Sequence, residues 1–427
     1  MRFEFWTEKG TSHIKAHFEE GDTHIGNRQE GSGTQIQYSG EDISFDYEVK
    51  KIHPDILGLI CLLIFYPFIG HKAEFPFPVS SRLEKAFRNQ NFKRQFEFVN
   101  IDDSLSIYAG SKMALSLGGG IDSSSVRVMF PEAFIVHEAH LRDKKVKKPK
   151  KTFWNKYFGF PRPPDQPVKE LVPSDTNSIV EALDVGKGRL ITSNQRYVSE
   201  PGGWHTWPCS TITSLLLATD MNLGIIFTGT NAGSSMLSNG DSFWDRIKAR
   251  KYHGPSGNFW QSTFETIGIP LFSPIIGTSG FQAMKLSMEL VRANEVVSCM
   301  KKEGNACKCC TKCLRRDLIR ATVDSKHIPD WDAYDTELIH EALTKRPLYF
   351  GHVHSYAISK LDNLPLFISE RLVDIPQIET DWPMKFYEAS FVLCPEEWRD
   401  TIKERVLSFV NPMNSEEIEE FKNWSQV

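Results

Sequence analysis

Two short stretches of this chain hold residue types at spacings that can do chemistry. The first reads Leu115-Ser116-Leu117-Gly118-Gly119-Gly120-Ile121-Asp122-Ser123-Ser124. Consecutive glycines let backbone N–H groups turn toward an anion with no Cβ in the way. An apolar run before them reads as a strand, and the residues after them open a helix, whose positive end favours phosphate. Asp122 is then placed to cap that helix or to hold Mg²⁺, and the Ser123 and Ser124 hydroxyls can donate to phosphate oxygens. No Lys follows the glycines, so this is not a Walker A loop, nor is it G-x-G-x-x-G. The second stretch is Cys299-x₇-Cys307-x₂-Cys310-x₂-Cys313, with Cys309 in addition. Two C-x-x-C turns sharing Cys310 bring three thiolates to one point, and Cys299 returns as a fourth. Four thiolates suit a closed, structural Zn²⁺ site, with an iron–sulfur cluster as the rival. Lys301, Lys302, Lys308, Lys312, Arg315 and Arg316 would offset its negative charge. Cys309 is either a spare thiol or a ligand in place of Cys310.

These stretches need elements to hold them. The chain has 427 residues, 40% apolar and 24% charged, with a formal net charge of −4. That is ordinary for a soluble globular protein of two or three domains. The balance gives no global attraction to nucleic acid or membrane. Eight cysteines, five of them between Cys299 and Cys313, point to a metal in a reducing compartment rather than a disulfide framework. No secretory signal is read at the N-terminus, and the apolar run Ile56–Ile69 is too short to span a bilayer. A cytoplasmic protein without membrane contact is expected.

Residues 1–104 read as a β-rich N-terminal domain with helices near 55–66 and 80–89. Phe3 and Phe5 alternate with polar residues, as do Ile43, Phe45, Tyr47 and Val49. A Pro-rich stretch covers Phe75–Pro78. Over residues 105–298 apolar runs at Met113–Leu117, Ala133–Val136, Leu190–Thr192 and Gly224–Thr228 alternate with helical stretches such as Ser178–Leu183 and Ser210–Thr219. That is the rhythm of an α/β fold with a parallel sheet. A basic insertion at 142–165 interrupts it; Arg142 to Arg162 hold nine Lys or Arg against one acid. Residues 299–325 form the zinc knuckle and 326–427 a helical C-terminal region.

The segment Gly118-Gly119-Gly120-Ile121-Asp122-Ser123 resembles the PP-loop signature, S-G-G-x-D-S, of the N-type ATP pyrophosphatases. Gly118 stands where the motif has Ser, and Ser116 lies two residues too early to replace it. A PP-loop early in an α/β domain and cysteines near its end together resemble 7-cyano-7-deazaguanine synthase, over about residues 110–320. Trp207-Pro208-Cys209-Ser210-Thr211, Gly229-Thr230-Asn231-Ala232 and Ser273-Pro274-Ile275 occur in the same order as family segments. The chain is about twice the length of that synthase, and so looks like a divergent relative of the kind found in antiphage operons, type IV CBASS or Qat. The resemblance implies a HUP-type sheet, ATP and Mg²⁺ as cofactors beside Zn²⁺, and Asp122 and Ser123 as catalytic residues. ATP would be held by Ser116, Gly118, Gly119, Gly120, Asp122, Ser123 and Ser124. The reaction implied is adenylation of the carboxylate of a 7-deazaguanine, followed by attack of an amine, a protein N-terminus in the conjugating relatives.

The base needs a flat slot with hydrogen-bonding partners, for which Trp204, Trp207, Phe227, Gly229 and Asn231 are candidates. His205 is a weaker candidate base, and His352-Val353-His354 reads as an ordinary packing element. Trp154, Tyr157 and Phe158, interleaved with the basic run, would stack on RNA bases, dock an acidic partner, or lie in a solvated loop. Competing functions are a nitrile-forming synthase, a PP-loop tRNA-modifying enzyme and a non-catalytic nucleotide binder.

Overall fold

The computed structural model describes residues 1–28, 34–88, 95–144, 168–171, 183–235, 237, 257–290 and 307–426. The chain opens with a hairpin, β1 (Arg2–Glu8) and β2 (Thr11–His17), and continues through β3 (Ile25–Asn27), β4 (Gln35–Tyr38) and β5 (Ile43–Phe45). Tyr47 and Val49, expected to prolong β5, leave the ladder. The Ser12 hydroxyl donates to the Tyr47 carbonyl and accepts from the Val49 amide, so side-chain bonds replace strand pairing there. Helix α1 (Pro54–Phe65) starts with Pro at its first position, where the missing N–H is harmless, and His53 Nδ1 accepts from the Asp55 amide at 3.3 Å. Its residues from Asp55 onward are buried on every side, so it is a core helix.

The Pro-rich stretch lies within a strand, β6 (Lys72–Val79), between β1 and β7 (Glu97–Ile101). A register break between Glu74 and Val79 absorbs Pro76 and Pro78, where no ladder N–H is required. Helix α2 (Ser81–Arg88) follows β6.

From β8 (Lys112–Ser116) onward, strands and helices alternate: α3 (Ile121–Met129), β9 (Phe134–Lys144), β10 (Val168–Leu171), β11 (Gly188–Ser193), β12 (Ser199–Glu200), α4 (Ile212–Met221) and β13 (Leu223–Phe227). Then come α5 (Ala232–Ser235), α6 (Gly257–Thr266), β14 (Leu271–Phe272), α7 (Gly280–Ser287) and α8 (Thr311–Val323). The expected helix at 210–219 begins as a 3₁₀ turn, Trp207–Thr211, before α4. The insertion expected from 142 starts later than that: Arg142, Asp143 and Lys144 still belong to β9, paired antiparallel with β10. Residues 145–162 with Trp154, Tyr157 and Phe158, residues 178–182 of the helix expected at 178–183 and Cys299 lie outside the described residues.

The main sheet has 11 strands, ordered β14-β13-β8-β9-β11-β5-β2-β1-β6-β7, with β10 beside β9. β14, β13, β8, β9 and β11 are mutually parallel. β5 joins the edge of β11 antiparallel, Phe45 opposite Ser193, so the first hundred residues continue the same sheet. Within the parallel part, β9 and β11 lie on one side of β8 while the later β13 and β14 lie on the other. The connections therefore reverse direction between β8 and β13, which opens a crevice at the carboxyl ends of those strands.

Each face of the sheet carries its own core. One joins α1, α4 and the N-terminal strands through Leu57, Phe65, Leu216, Ile226 and Trp260. The other joins α3 and α7 to the C-terminal helices α9 (Glu337–Thr344), α10 (Gly351–Lys360), α11 (Glu396–Leu407) and α12 (Ser415–Asn423), through Leu115, Phe227, Tyr334, Trp382 and Phe421. No helix among the described residues is long and apolar enough to cross a membrane.

Candidate functional site

The glycine loop lies between β8 and α3, at the reversal point of the sheet. Gly119 has φ +73°, a left-handed conformation that favours glycine. Gly120 is the N-cap of α3 and supplies no side-chain bond, so the first turn of amides is left for another acceptor. Ser123 and Ser124 are buried in that turn, and the Ser123 hydroxyl donates to the Gly120 carbonyl at 3.2 Å. A Cβ built on Gly118 would meet nothing within 4 Å, so the missing serine of the motif has room. Ser116 faces the other way: its hydroxyl is 2.6 Å from that of Ser214 on α4.

Asp122 is partly exposed at the start of α3, with protein packed closely around its carboxylate. Asn231 Nδ2 donates to Asp122 Oδ1 at 2.6 Å, and the Ser234 amide donates to Asn231 Oδ1 at 2.8 Å, which orients the carboxamide. The loop after β13 comes in close to reach this position. A Cβ on Gly229 would lie 2.3 Å from the Ser123 amide nitrogen, so a side chain there would push the loop off α3. Burial raises the Asp122 pKa; the Asn231 bond and the charges of Arg315 and Lys312 oppose that shift.

Both cations come from α8. The Arg315 guanidinium carbon sits 3.6 Å from the centre of the Phe350 ring and 5.7 Å from that of Tyr349. Such stacking holds a permanent cation in a poorly hydrated place. Burial draws the Arg315 pKa down while Tyr349, Asp122 and Cys310 draw it up. Sequence reading gave Arg315 only the role of offsetting the thiolates, and its place two residues after Cys313 was the available signal.

Helix α8 starts at the cysteine cluster, with Cys310 as its N-cap. The sulfurs of Cys307, Cys310 and Cys313 all lie within 4.8 Å of one another, and those of Cys307 and Cys313 are 3.7 Å apart. Thiolates about 2.3 Å from a tetrahedral zinc are separated by about 3.8 Å, so the trio fits such an ion. Cys309 is exposed and outside the trio. The body of α8 is anchored by Asp317, which accepts from the Tyr334 hydroxyl at 2.6 Å and pairs with Arg316 at 3.2 Å.

The aromatic candidates divide between the two cores. Trp204 and Trp207 pack against the core shared with the N-terminal strands, and Arg196 sits 5.1 Å over the Trp204 ring. Phe227 stacks in the opposite core, 4.8 Å from Phe130. His205 is buried with Nε2 on the Leu63 carbonyl, and burial pushes its pKa down to about 4. It is a neutral packing group at physiological pH. His352 and His354 are buried behind Gly233 and Phe350, with pKa values lowered by burial to about 3 and about 4.

On the α4 side of the crevice Ser116 has buried polar neighbours that were not among the sequence candidates. Glu138 on β9 is 8% exposed, and Gln195 and Thr228 are each 3% exposed. Glu138 lies in β9 beyond its apolar start, Phe134-Ile135-Val136.

Residues 259–425, from α6 through the cysteine cluster to the C-terminal helices, match a family of unknown function, DUF6395. No curated protein and no solved structure matches the chain.

Proposed function

We propose that this protein is an ATP-dependent adenylating enzyme of PP-loop, HUP-type architecture that activates the carboxylate of a 7-deazaguanine for attack by an amine. The observation that carries the reading is the pairing of an uncapped glycine loop, at the reversal point of a parallel sheet, with Asp122 held by Asn231 and faced by Arg315 and Lys312.

In this reading a carboxylate oxygen of the substrate attacks the α-phosphorus of ATP. The bond from that phosphorus to the bridging oxygen breaks and pyrophosphate departs. The free amides of the loop and of the first turn of α3 receive the phosphate charge, and Arg315 and Lys312 add cationic stabilisation from the opposite wall. Asp122 would hold Mg²⁺, which when bound neutralises phosphate oxygens. The amine nitrogen then attacks the activated carbonyl carbon, the bond to AMP breaks, and the amine proton passes to solvent. The acceptor we favour is a protein N-terminus, as in the conjugating relatives that the motifs resemble. Zinc on Cys307, Cys310 and Cys313, with Cys299 as fourth ligand, would be structural, holding α8 so that Arg315 faces the loop.

The experiment is to mix protein, ATP, Mg²⁺ and 7-carboxy-7-deazaguanine and to follow AMP and pyrophosphate, with ammonia or an acceptor peptide as the amine. Release of AMP dependent on the deazaguanine is expected. ATP left intact in every combination would refute the proposal.

A further inference from the structure

The parallel strands carry alternate side chains to opposite faces, and their register aligns the carboxyl ends. Ser116 lies opposite Val136, so Glu138, two residues on, emerges on the same face just past the end of β8. Glu138 pairs across to Ile191, and β13 follows the register Phe227 to Leu115, which carries Thr228 level with Ser116 on that face. Val136, Ile191 and Ile226 form the apolar part of this face. Thr228, Ser116, Glu138 and Gln195 thus form a polar row across the crevice, beneath the start of α4.

The row has an unusual hydrogen-bonding balance. Gln195 Nε2 donates to Glu138 Oε2 at 2.5 Å and to the Cys209 carbonyl at 3.4 Å. With its donors so engaged, Gln195 presents only Oε1, which is buried and has no hydrogen-bond partner. The Thr228 hydroxyl is buried and equally unpartnered. A buried acceptor left unmatched is costly, so each such group calls for a partner from outside the fold. A carboxylate is acceptor-only and takes two adjacent N–H groups in one plane.

We infer that this row is the base-reading subsite, in which Glu138 accepts from the N1–H and 2-amino groups of a guanine-type base while Gln195 Oε1 accepts a further ring N–H. The edge of adenine alternates donor and acceptor and does not match. The inference rests on the adenylating reading for its choice of base and deepens it by naming the edge that is read. Glu138 and Gln195 are binding residues here, on the opposite side of the glycine loop from Asp122 and Arg315.

The test is calorimetric titration of the full-length protein, without ATP, with 7-carboxy-7-deazaguanine and with its analogue lacking the 2-amino group. The wild type is expected to bind the analogue about 10–100-fold more weakly. In Glu138→Gln, affinity for the amino base should fall similarly and the preference between the two ligands should vanish. Equal binding of both ligands by the wild type overturns the inference without any variant. So does a folded Glu138→Gln protein that keeps the preference, with folding checked by its melting temperature. AMP release by the wild type judges the adenylating reading separately. Base selectivity without AMP release would sink that reading alone, and AMP release without selectivity would sink this inference alone.

Discussion

The two faces of the central sheet are built from the same strands and put to different use. On one face the C-terminal helices gather charge: α8 brings Arg315 and Lys312 toward Asp122, behind a cluster of three thiols. On the other, the N-terminal strands, α1 and α4 enclose an apolar core that also holds buried Glu138, Gln195 and Thr228. The glycine loop lies at the seam. The contrast teaches that a permanent cation can be carried on an aromatic ring, whereas polar groups set into an apolar wall must find their partners there.

The largest effect is expected from breaking the charged face at its centre. Asp122→Asn should lower AMP release by about 100–1000-fold while leaving the fold intact, since the amide fills the same space. A turnover assay beside a melting curve checks this. Loss of turnover through unfolding would mean that Asp122 is structural.

The cysteine cluster comes next. Cys310→Ser or Cys313→Ser should remove bound zinc and destabilise the protein by about 3 kcal/mol or more, because metal binding there is coupled to folding. Cys309→Ser should change neither metal content nor stability. Elemental analysis and denaturant unfolding of the three variants make the comparison, and zinc retained in Cys313→Ser would contradict the trio.

Arg315→Lys keeps a cation but loses the flat stack on Phe350. ATP binding should weaken about 5–10-fold, in line with the loss of one cation–π contact and a forked donor. Unchanged affinity would place the nucleotide away from α8.

A pH titration compares the faces by their buried histidines. His205 lies on the N-terminal face and His352 and His354 on the C-terminal one, with folded pKa values near 4, 3 and 4. Each is below the unfolded value of about 6.5, so the unfolded chain binds more protons in between. Stability conferred by the neutral rings is complete above about pH 6.5. It falls as the pH drops toward 4 and levels off near 3. Denaturant midpoints at pH 7, 5.5 and 4.5 should decline in that order, and His352→Phe should flatten the decline.

The smallest effect belongs to Gly118→Ser. With no atom within 4 Å of the new Cβ, stability should stay within about 0.5 kcal/mol of wild type, and ATP turnover should be retained. A destabilised variant would show that the loop is tighter than its geometry.

Much of the site was legible along the chain because the relevant residues are close in sequence. Three glycines followed by Asp122 announce a turn into a helix, and C-x-x-C spacing announces a sulfur cluster whatever surrounds it. Arg315 was visible only as a charge, because its stack on Phe350 joins α8 to the N-cap of α10. Glu138 was passed over, since one acid among the mixed residues of β9 stands out only when the neighbouring strand ends are known. The Pro-rich stretch was given no element, and the register break in β6 is what lets Pro76 and Pro78 sit in a strand. Trp204 and Trp207 pack on the α4 face, and aromatic character alone does not separate a base-stacking role from a place in the core.

By itself the sequence determined the alternation of strands and helices, the glycine turn and the sulfur trio, all properties of local φ/ψ preference and short spacing. Tertiary structure alone decided that β5 would extend the parallel sheet at β11, that the order would reverse between β8 and β13, and that Asp122, Asn231 and Arg315 would converge. Those outcomes depend on strand pairing and on which apolar faces bury one another. The contacts span up to two hundred residues, and their free energy is shared over two whole cores rather than encoded at any one position.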